Sequence, residues 1–407
     1  MGGKWINVAD GFEAYLAQPA SGSGPGLLLL QEIFGVNRHM RDVADLYAEE
    51  GYVVLAPDLF WRTQPRIELN PGDDADMARA FSLYEGFDIE LATKDMREAV
   101  NCLRSRPECH GKVGALGFCL GGLLSYLAGA RCGVDCAIGY YGVGIERYLN
   151  EAASIRCPLV LHFGELDALV PGPARAAIAA ALAAHADATV FVYPGCDHAF
   201  NNPARPSFNK PAALMAHSRS IAALRRTLGP VYDLSALWEQ HTGYEFAARD
   251  AAATMRTMVA QPYVNHIPVM TGGVGHEDLL RFYKHHFIPK TPADTRLVPI
   301  SRTIGADRIV DEMLFCFTHD IEIDWMLPGV PPTGRYVEIP LVAIVRFRGD
   351  KLYNEHIYWD QASVLVQIGL LQAEGLPIAG VETARKLLDE SLPSNTKMRR
   401  WMESAGR

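Results

Sequence analysis

No stretch of this 407-residue chain approaches the roughly 18 consecutive apolar residues that a membrane-spanning helix needs, so no membrane partner is expected. Polybasic runs are also missing. With 38 Lys and Arg against 47 Asp and Glu, the net charge of −9 argues against nucleic acid as a partner. Cysteine is sparse: there are eight, seven of them before residue 200, and most lie among apolar neighbours as reduced core residues do. Cys132 and Cys136 have a spacing that suggests metal, but no second pair completes a tetrahedral set, so neither zinc nor any other metal or cofactor is expected. The start, Met1-Gly2-Gly3-Lys4-Trp5-Ile6, lacks a hydrophobic signal core, and Ile6 stands where a myristoylation signal carries Ser or Thr, so a cytoplasmic protein is expected. What is plentiful is apolar residues. At 49% hydrophobic, the chain can bury large cores, and its length favours two domains over one.

Through residue 228, six apolar runs, near 26–31, 52–56, 113–118, 136–140, 158–163 and 189–193, alternate with helix-like segments. This alternation predicts βαβ units and a mostly parallel sheet covered on both faces, an α/β class. The third run continues as Gly117-Phe118-Cys119-Leu120-Gly121-Gly122 directly into a helical pattern. That is the nucleophile elbow of an α/β-hydrolase, with a thiol where a hydroxyl is usual. Side chains at 117 and 121 would collide in the sharp turn that lifts Cys119 above the sheet edge. A helix opening near Leu120 points its positive end at the sulfur and favours a thiolate. A glycine-flanked cysteine alone is more often a core residue, and order along the chain separates the two readings. In these folds nucleophile, acid and histidine follow in sequence, each just past the carboxyl end of a strand. Asp167, in Gly164-Glu165-Leu166-Asp167, and His198, in Pro194-Gly195-Cys196-Asp197-His198, fall at the acid and histidine places. Glu32 follows Leu27-Leu28-Leu29-Leu30 at the mouth of a buried strand, where a charge is costly unless paired or solvated. A rim glutamate bonded to a loop amide is the other reading of that position.

With Gln31-Glu32-Ile33-Phe34-Gly35-Val36-Asn37, Ala56-Pro57-Asp58-Leu59-Phe60, Gly139-Tyr140-Tyr141-Gly142-Val143-Gly144 and Asp197-His198-Ala199-Phe200, about the first 225 residues resemble the dienelactone hydrolase (carboxymethylenebutenolidase) family. The resemblance implies that Cys119 is the nucleophile, His198 the general base and then acid, and Asp167 the orienter of the imidazole. It also implies that Glu32 sits beside the thiol and accepts its proton. The backbone amides of Ile33 and Leu120 would form the oxyanion hole. The family's dienelactone hydrolases clamp the substrate carboxylate with two arginines. Here one of those positions, four residues after His198, is Asn202, and the other aligns near Met77 with Arg79 close enough to substitute. A neutral amide does not replace a bidentate guanidinium. Residues 60–86, rich in Pro, Asp and aromatics, show no strand pattern and are expected to wall the pocket, with Trp61, Phe81 and Tyr84 as apolar contacts or as ordinary packing under a long loop.

Leu228-Gly229-Pro230 closes a first domain at 1–230. Helices are predicted over 234–258, interrupted near 241–243, then a loop at 262–275 and a helix at 277–286. Strands follow at 296–304, 309–325, 335–348 and 352–360, joined by turns at Gly305-Ala306-Asp307 and Gly349-Asp350. Helices followed by an antiparallel meander predict a separate α+β domain at 235–380, with a C-terminal helical tail at 381–407. Element order and Tyr358-Trp359-Asp360-Gln361 make residues 235–375 resemble the nuclear transport factor 2-like superfamily, in particular its polyketide-cyclase-like branch. That resemblance implies a curved sheet wrapped around a helix and a pocket, and homo-oligomer formation through the sheet. In 313–325 the odd positions form an apolar face whose ionisable member is His319, and Asn354, His356, Tyr358 and Asp360 share one face of the last strand. If that face lines the cavity, His356 and Asp360 serve as acid and base or fix a polar ligand. The alternative is a satisfied core histidine and a solvated or dimer-forming face.

The expected function is a cysteine hydrolase of a lactone or small activated ester acting through an acyl-enzyme, with a small-molecule substrate and no cofactor. Two alternatives stay open. The C-terminal domain cyclises or isomerises a small carbonyl compound, or it is a binding or oligomerisation module.

Overall fold

The computed structural model describes residues 2–405 and forms two compact units, Met1–Val231 and Tyr232–Arg407. In the first unit eight strands, β1 (Lys4–Ala9), β2 (Phe12–Ala17), β3 (Gly24–Leu30), β4 (Val53–Pro57), β5 (Cys109–Phe118), β6 (Cys136–Tyr140), β7 (Leu159–Gly164) and β8 (Ala188–Tyr193), bond in the order β1-β2-β4-β3-β5-β6-β7-β8. From β4 to β8 neighbouring strands are parallel, and β1 and β2 add an antiparallel edge. The apolar-run reading missed β1, an edge strand with half-exposed, mixed side chains, and β2, a short strand whose apolar residues are interrupted by Glu13. Six helices connect the strands: α1 (Arg38–Glu49), α2 (Asp74–Glu85), α3 (Ile89–Ser105), α4 (Leu120–Arg131), α5 (Gly172–Leu182) and α6 (Lys210–Leu228).

Leu27 to Leu30 of β3 are fully buried, as a parallel strand covered on both faces requires, and burying each leucine side chain stabilises by about 1.5–3 kcal/mol. Register then sets the functional edge. Leu30 lies opposite Gly117, and Gly117 opposite Gly139, so Glu32 and Cys119 each emerge two residues beyond a matched pair. The stretch expected to be irregular wall contains α2. Asp73 caps it by accepting from the Asp76 amide, and Asp74 and Asp76 in its first turn complement the helix dipole. Capping and dipole outweigh the loop-like composition that hid this helix.

The second unit opens with α7 (Leu234–Thr242), a π-helical turn at Gly243–Ala247 and α8 (Ala251–Arg256). Then come β9 (Met258–His266), β10 (Thr271–Val274), α9 (His276–Phe282) with a π-helical turn at Tyr283–Phe287, β11 (Arg296–Ile304), β12 (Arg308–Thr318), β13 (Tyr336–Arg348), β14 (Lys351–Trp359), α10 (Gln361–Gln367) and α11 (Glu382–Leu388). The sheet order is β10-β9-β14-β13-β12-β11, antiparallel throughout except that β9 runs parallel to β14. Residues 262–275, expected as a loop, are therefore mostly hairpin. The partner that makes β9 a strand lies some ninety residues away and leaves no local trace.

The strand expected to run to Trp325 ends at Thr318, whose amide is taken by the Asp294 carboxylate. A turn at Ile323 then folds Trp325 into the core. Along β13, Val337, Ile339, Leu341, Ala343, Val345 and Phe347 alternate inward to form that core. The segment expected as a tail contributes α11, whose Ala384 packs on Leu314 and Cys316 on the sheet's other face. Among the described residues no helix is long and apolar enough to cross a membrane.

Candidate active site

The elbow between β5 and α4 is built by the absence of side chains. A Cβ at Gly117 would lie 2.1 Å from the Gly121 carbonyl oxygen, and one at Gly121 would lie 2.1 Å from the Leu30 carbonyl oxygen. Cys119 sits between them at φ 55°, ψ −113°, a conformation that costs a residue with a Cβ about 1–3 kcal/mol. Hydrogen bonds hold it there: its amide donates to Tyr140 O at 3.0 Å, and its carbonyl accepts from Gly122 at 3.0 Å and Leu123 at 3.3 Å. Leu120, the first residue of α4, follows directly, so its amide belongs to the helix end whose N–H groups have no intrahelical acceptor.

The loops after β7 and β8 bring two further groups to this point. Asp167 Oδ1 accepts from the amides of Leu169 (2.9 Å) and Val170 (3.3 Å), which leaves Oδ2 to face His198 Nδ1 at 2.8 Å. Burial works against charge on His198. Hydrogen bonds to Asp167 and then to Cys119 outweigh it and raise the imidazole to about 10. Glu32 is buried and accepts from Asn202 Nδ2 at 3.3 Å, so Asn202 holds a carboxylate of this chain.

Cys119 and His198 open into a cavity of about 600 Å³, mouth included, whose walls include Glu32, Ile33 and Phe34. Met77, Phe81 and Tyr84 also line it. Their four- and three-residue spacing places them on one face of α2, so Phe81 and Tyr84 reach the cavity from a helix. Two expectations change. Trp61 stacks on Phe12 at 5.5 Å and donates to Asp95 at 3.2 Å, away from the cavity lining. Arg79 is exposed and bonded to Gln64, because a helical residue two positions from Met77 points elsewhere. The guanidinium on the wall is that of Arg205, 5.8 Å from the Phe34 ring centroid. The arginine rule looked four residues past His198, and the loop delivers this side chain from three residues further on. Tyr141 was also passed over as a site residue. It is fully buried at φ 38°, and its ring meets the His198 imidazole edge-on at 4.9 Å.

The residues singled out in the second unit do not meet in its cavity. His319 is buried with Nδ1 on Thr333 Oγ1 at 3.1 Å, and Asp360 caps α10 through the Ala362 amide. His356 and Tyr358 lie on the face of β14 opposite Glu355 and Ile357, and it is these two that line the cavity. The inward face of β14 is the apolar one, with a single carboxylate, so counting polar residues selected the outer face.

Comparison with known proteins bears on the first unit. The chain is 40% identical over 220 residues to a provisionally named carboxymethylenebutenolidase of Azospirillum brasilense, covering 54% of this chain and 94% of that one. It is 38% identical over 215 residues to a carboxymethylenebutenolidase of Pseudomonas sp. strain P51, covering 53% and 90%. A provisionally named dienelactone hydrolase structure from Klebsiella pneumoniae subsp. pneumoniae is 27% identical with a TM-score of 0.49, covering 55% of this chain and 98% of that one. Residues 12–228 match the family described as the dienelactone hydrolase family, more than half of the chain and all of the elbow and its two facing loops, and the protein belongs to that family.

Proposed function

We propose that the ester- or lactone-hydrolase activity of this family runs here through Cys119, His198 and Asp167 by way of an acyl-enzyme. The observation that carries the reading is the 2.8 Å contact of Asp167 Oδ2 with His198 Nδ1, with His198 and Cys119 lining one cavity. Hydrogen-bonded to Asp167, His198 keeps a proton for the leaving group, and Glu32, which lines the same cavity, receives the proton of the thiol. The sulfur adds to the carbonyl carbon, and the new oxyanion lies on the amides of Ile33 and Leu120. The C–O bond then breaks as His198 gives its proton to the leaving oxygen. Water attacks the resulting thioester, His198 takes a proton from it, and the departing thiolate regains the proton held by Glu32.

The test is rapid mixing with p-nitrophenyl acetate followed by acid quench and mass analysis. The expected result is a burst of p-nitrophenolate near one per chain and an acetyl group on the peptide bearing Cys119. Turnover without acylation of that peptide refutes the route. For an alkyl ester or lactone, whose leaving oxygen must be protonated, kcat/KM is expected to fall as pH rises through about 10, where His198 loses its proton.

Arg205 supports a carboxylate-bearing substrate. Losing one charge-assisted hydrogen bond in Arg205→Ala is expected to raise KM for a carboxylate-bearing lactone about 10- to 100-fold, leaving p-nitrophenyl acetate nearly unaffected. Equal effects on both substrates would remove Arg205 from carboxylate recognition.

We read the second unit as nuclear transport factor 2-like. A six-stranded sheet whose inward face, together with α7 and Tyr283, encloses an aromatic cavity supports that reading.

A further inference from the structure

The cavity of the second unit is almost wholly apolar, with Phe246, Phe287, Phe315 and Trp325 among its walls, and it spans about 470 Å³ with its opening. Two carboxylates, Glu245 and Glu355, nevertheless line it together with His266, and the buried His241 imidazole lies against both carboxylates. His241 lies on α7 and Glu245 four residues later in the π-helical turn, so the two share a face, and Glu355 projects from β14. All three are buried, and one ligand atom of each lies within 4.8 Å of the others. Such a set in such surroundings is expensive to bury: burial opposes charge on His241 and the two carboxylates favour it, and even one proton there leaves a negative charge that calls for compensation.

The geometry says what kind. Thr257 Oγ1 donates its one proton to Thr254 O at 2.6 Å, so at 2.6 Å from His241 Nδ1 it accepts, and Nδ1 carries the hydrogen. In the neutral ring Nε2 is then the bare lone pair. Nε2 stands 3.1 Å from Glu245 Oε1 and 3.2 Å from Glu355 Oε1, yet it meets the angular requirement of a hydrogen bond with neither. The two oxygens flank the nitrogen instead of capping it. Ligands of one cation do the same: at metal–ligand distances of about 2.0–2.2 Å and angles between octahedral and tetrahedral, neighbouring ligand atoms fall about 2.9–3.5 Å apart. Supporting contacts fix the ligands. Thr257 fixes the tautomer, Trp238 stacks on the imidazole at 5.7 Å, and Tyr283 OH reaches Glu355 Oε1 at 3.5 Å.

We propose that His241, Glu245 and Glu355 bind a divalent first-row transition cation, with its remaining coordination positions open to the aromatic cavity. One imidazole and two carboxylates suit zinc, iron, cobalt or manganese, and a neutral imidazole with two carboxylates balances a charge of two. Three protein ligands with open positions make a site that takes a water or an oxygen atom of a small, largely apolar compound. This site departs from the sequence reading, which expected no metal, and it does not depend on the cysteine chemistry of the first unit.

The test uses the full chain, stripped with a chelator and titrated with Co²⁺ and separately with Zn²⁺. Calorimetry is expected to show one cation per chain, and bound Co²⁺ to absorb without a thiolate charge-transfer band. Affinity is expected to fall about 100-fold or more in Glu245→Gln/Glu355→Gln, which keeps side-chain volume, and about 10-fold in Thr257→Val, which frees the imidazole. Circular dichroism verifies that the variants are folded. In case the double variant does not fold, the wild-type melting midpoint is followed as well, and it should rise with Co²⁺ and fall back on chelation. Absence of stoichiometric binding by the wild type, binding undiminished in a folded double variant, or a thiolate band that places the ion on cysteine would each overturn the site.

Discussion

Cys119→Ala is expected to lower turnover of a p-nitrophenyl ester or small lactone by about 10⁴-fold or more while shifting the melting midpoint by no more than about 3 °C. The two halves of this result have separate causes. Alanine retains the Cβ, so the strained backbone at φ 55° is as strained as before and the backbone hydrogen bonds that hold it are untouched. The sulfur is the atom lost, and it sits at the wall of an open cavity, where water replaces it at little cost. Without it no acyl-enzyme forms, and water must attack the carbonyl unaided. Amides at the oxyanion hole keep acting on a bound substrate in the variant, and such donors are worth roughly 10²–10³ in rate, so the assay must read well below that floor. Activity within a hundredfold of wild type would exclude Cys119 as nucleophile.

Gly121→Ala is expected to be strongly destabilising for a single added methyl group. The added carbon would meet the Leu30 carbonyl oxygen at 2.1 Å, with the Leu30 carbonyl carbon at 2.6 Å and Gln31 O at 2.8 Å. All three are backbone atoms of β3 or its continuation, so no rotamer change relieves the overlap, and either α4 or the end of β3 must move. Destabilisation of about 3 kcal/mol or more follows, read as a fall of roughly 6–12 °C in the thermal midpoint. Gly72→Ala is the matched control, because its Cβ would find nothing closer than Asn70 Oδ1 at 3.4 Å. An unchanged midpoint in Gly121→Ala would mean that the strand-to-helix turn is not the tight one described.

Much of the first unit was legible because its signals are local. Leu27 to Leu30 announce a strand buried on both faces, and Gly117-Phe118-Cys119-Leu120-Gly121 announces a turn that only small residues permit. Asp167 and His198 each follow a strand directly, so their place at the sheet edge is inherited from the strand before them. Arg79 and Arg205 mark where that logic stops. Which guanidinium reaches the cavity depends on the phase of α2 and the path of the loop after His198, and neither is written in the spacing. In the second unit the alternation along β12, β13 and β14 was readable, yet which face is inward depends on what packs against it. That is how His356 was favoured over Glu355.

By itself the sequence determined the α/β order of the first 230 residues, the elbow, the places of Asp167 and His198 just past two strands and the existence of a second, sheet-containing half. These rest on periodicity and on steric limits that act within a few residues. Tertiary structure alone decided that β9 pairs with β14, that Tyr141 backs His198 and that Arg205 faces Cys119's cavity. It alone joined His241 and Glu245 to a carboxylate 110 positions further along the chain from Glu245. Such pairings are chosen by burial and shape complementarity between distant segments, a competition that no local window of residues contains.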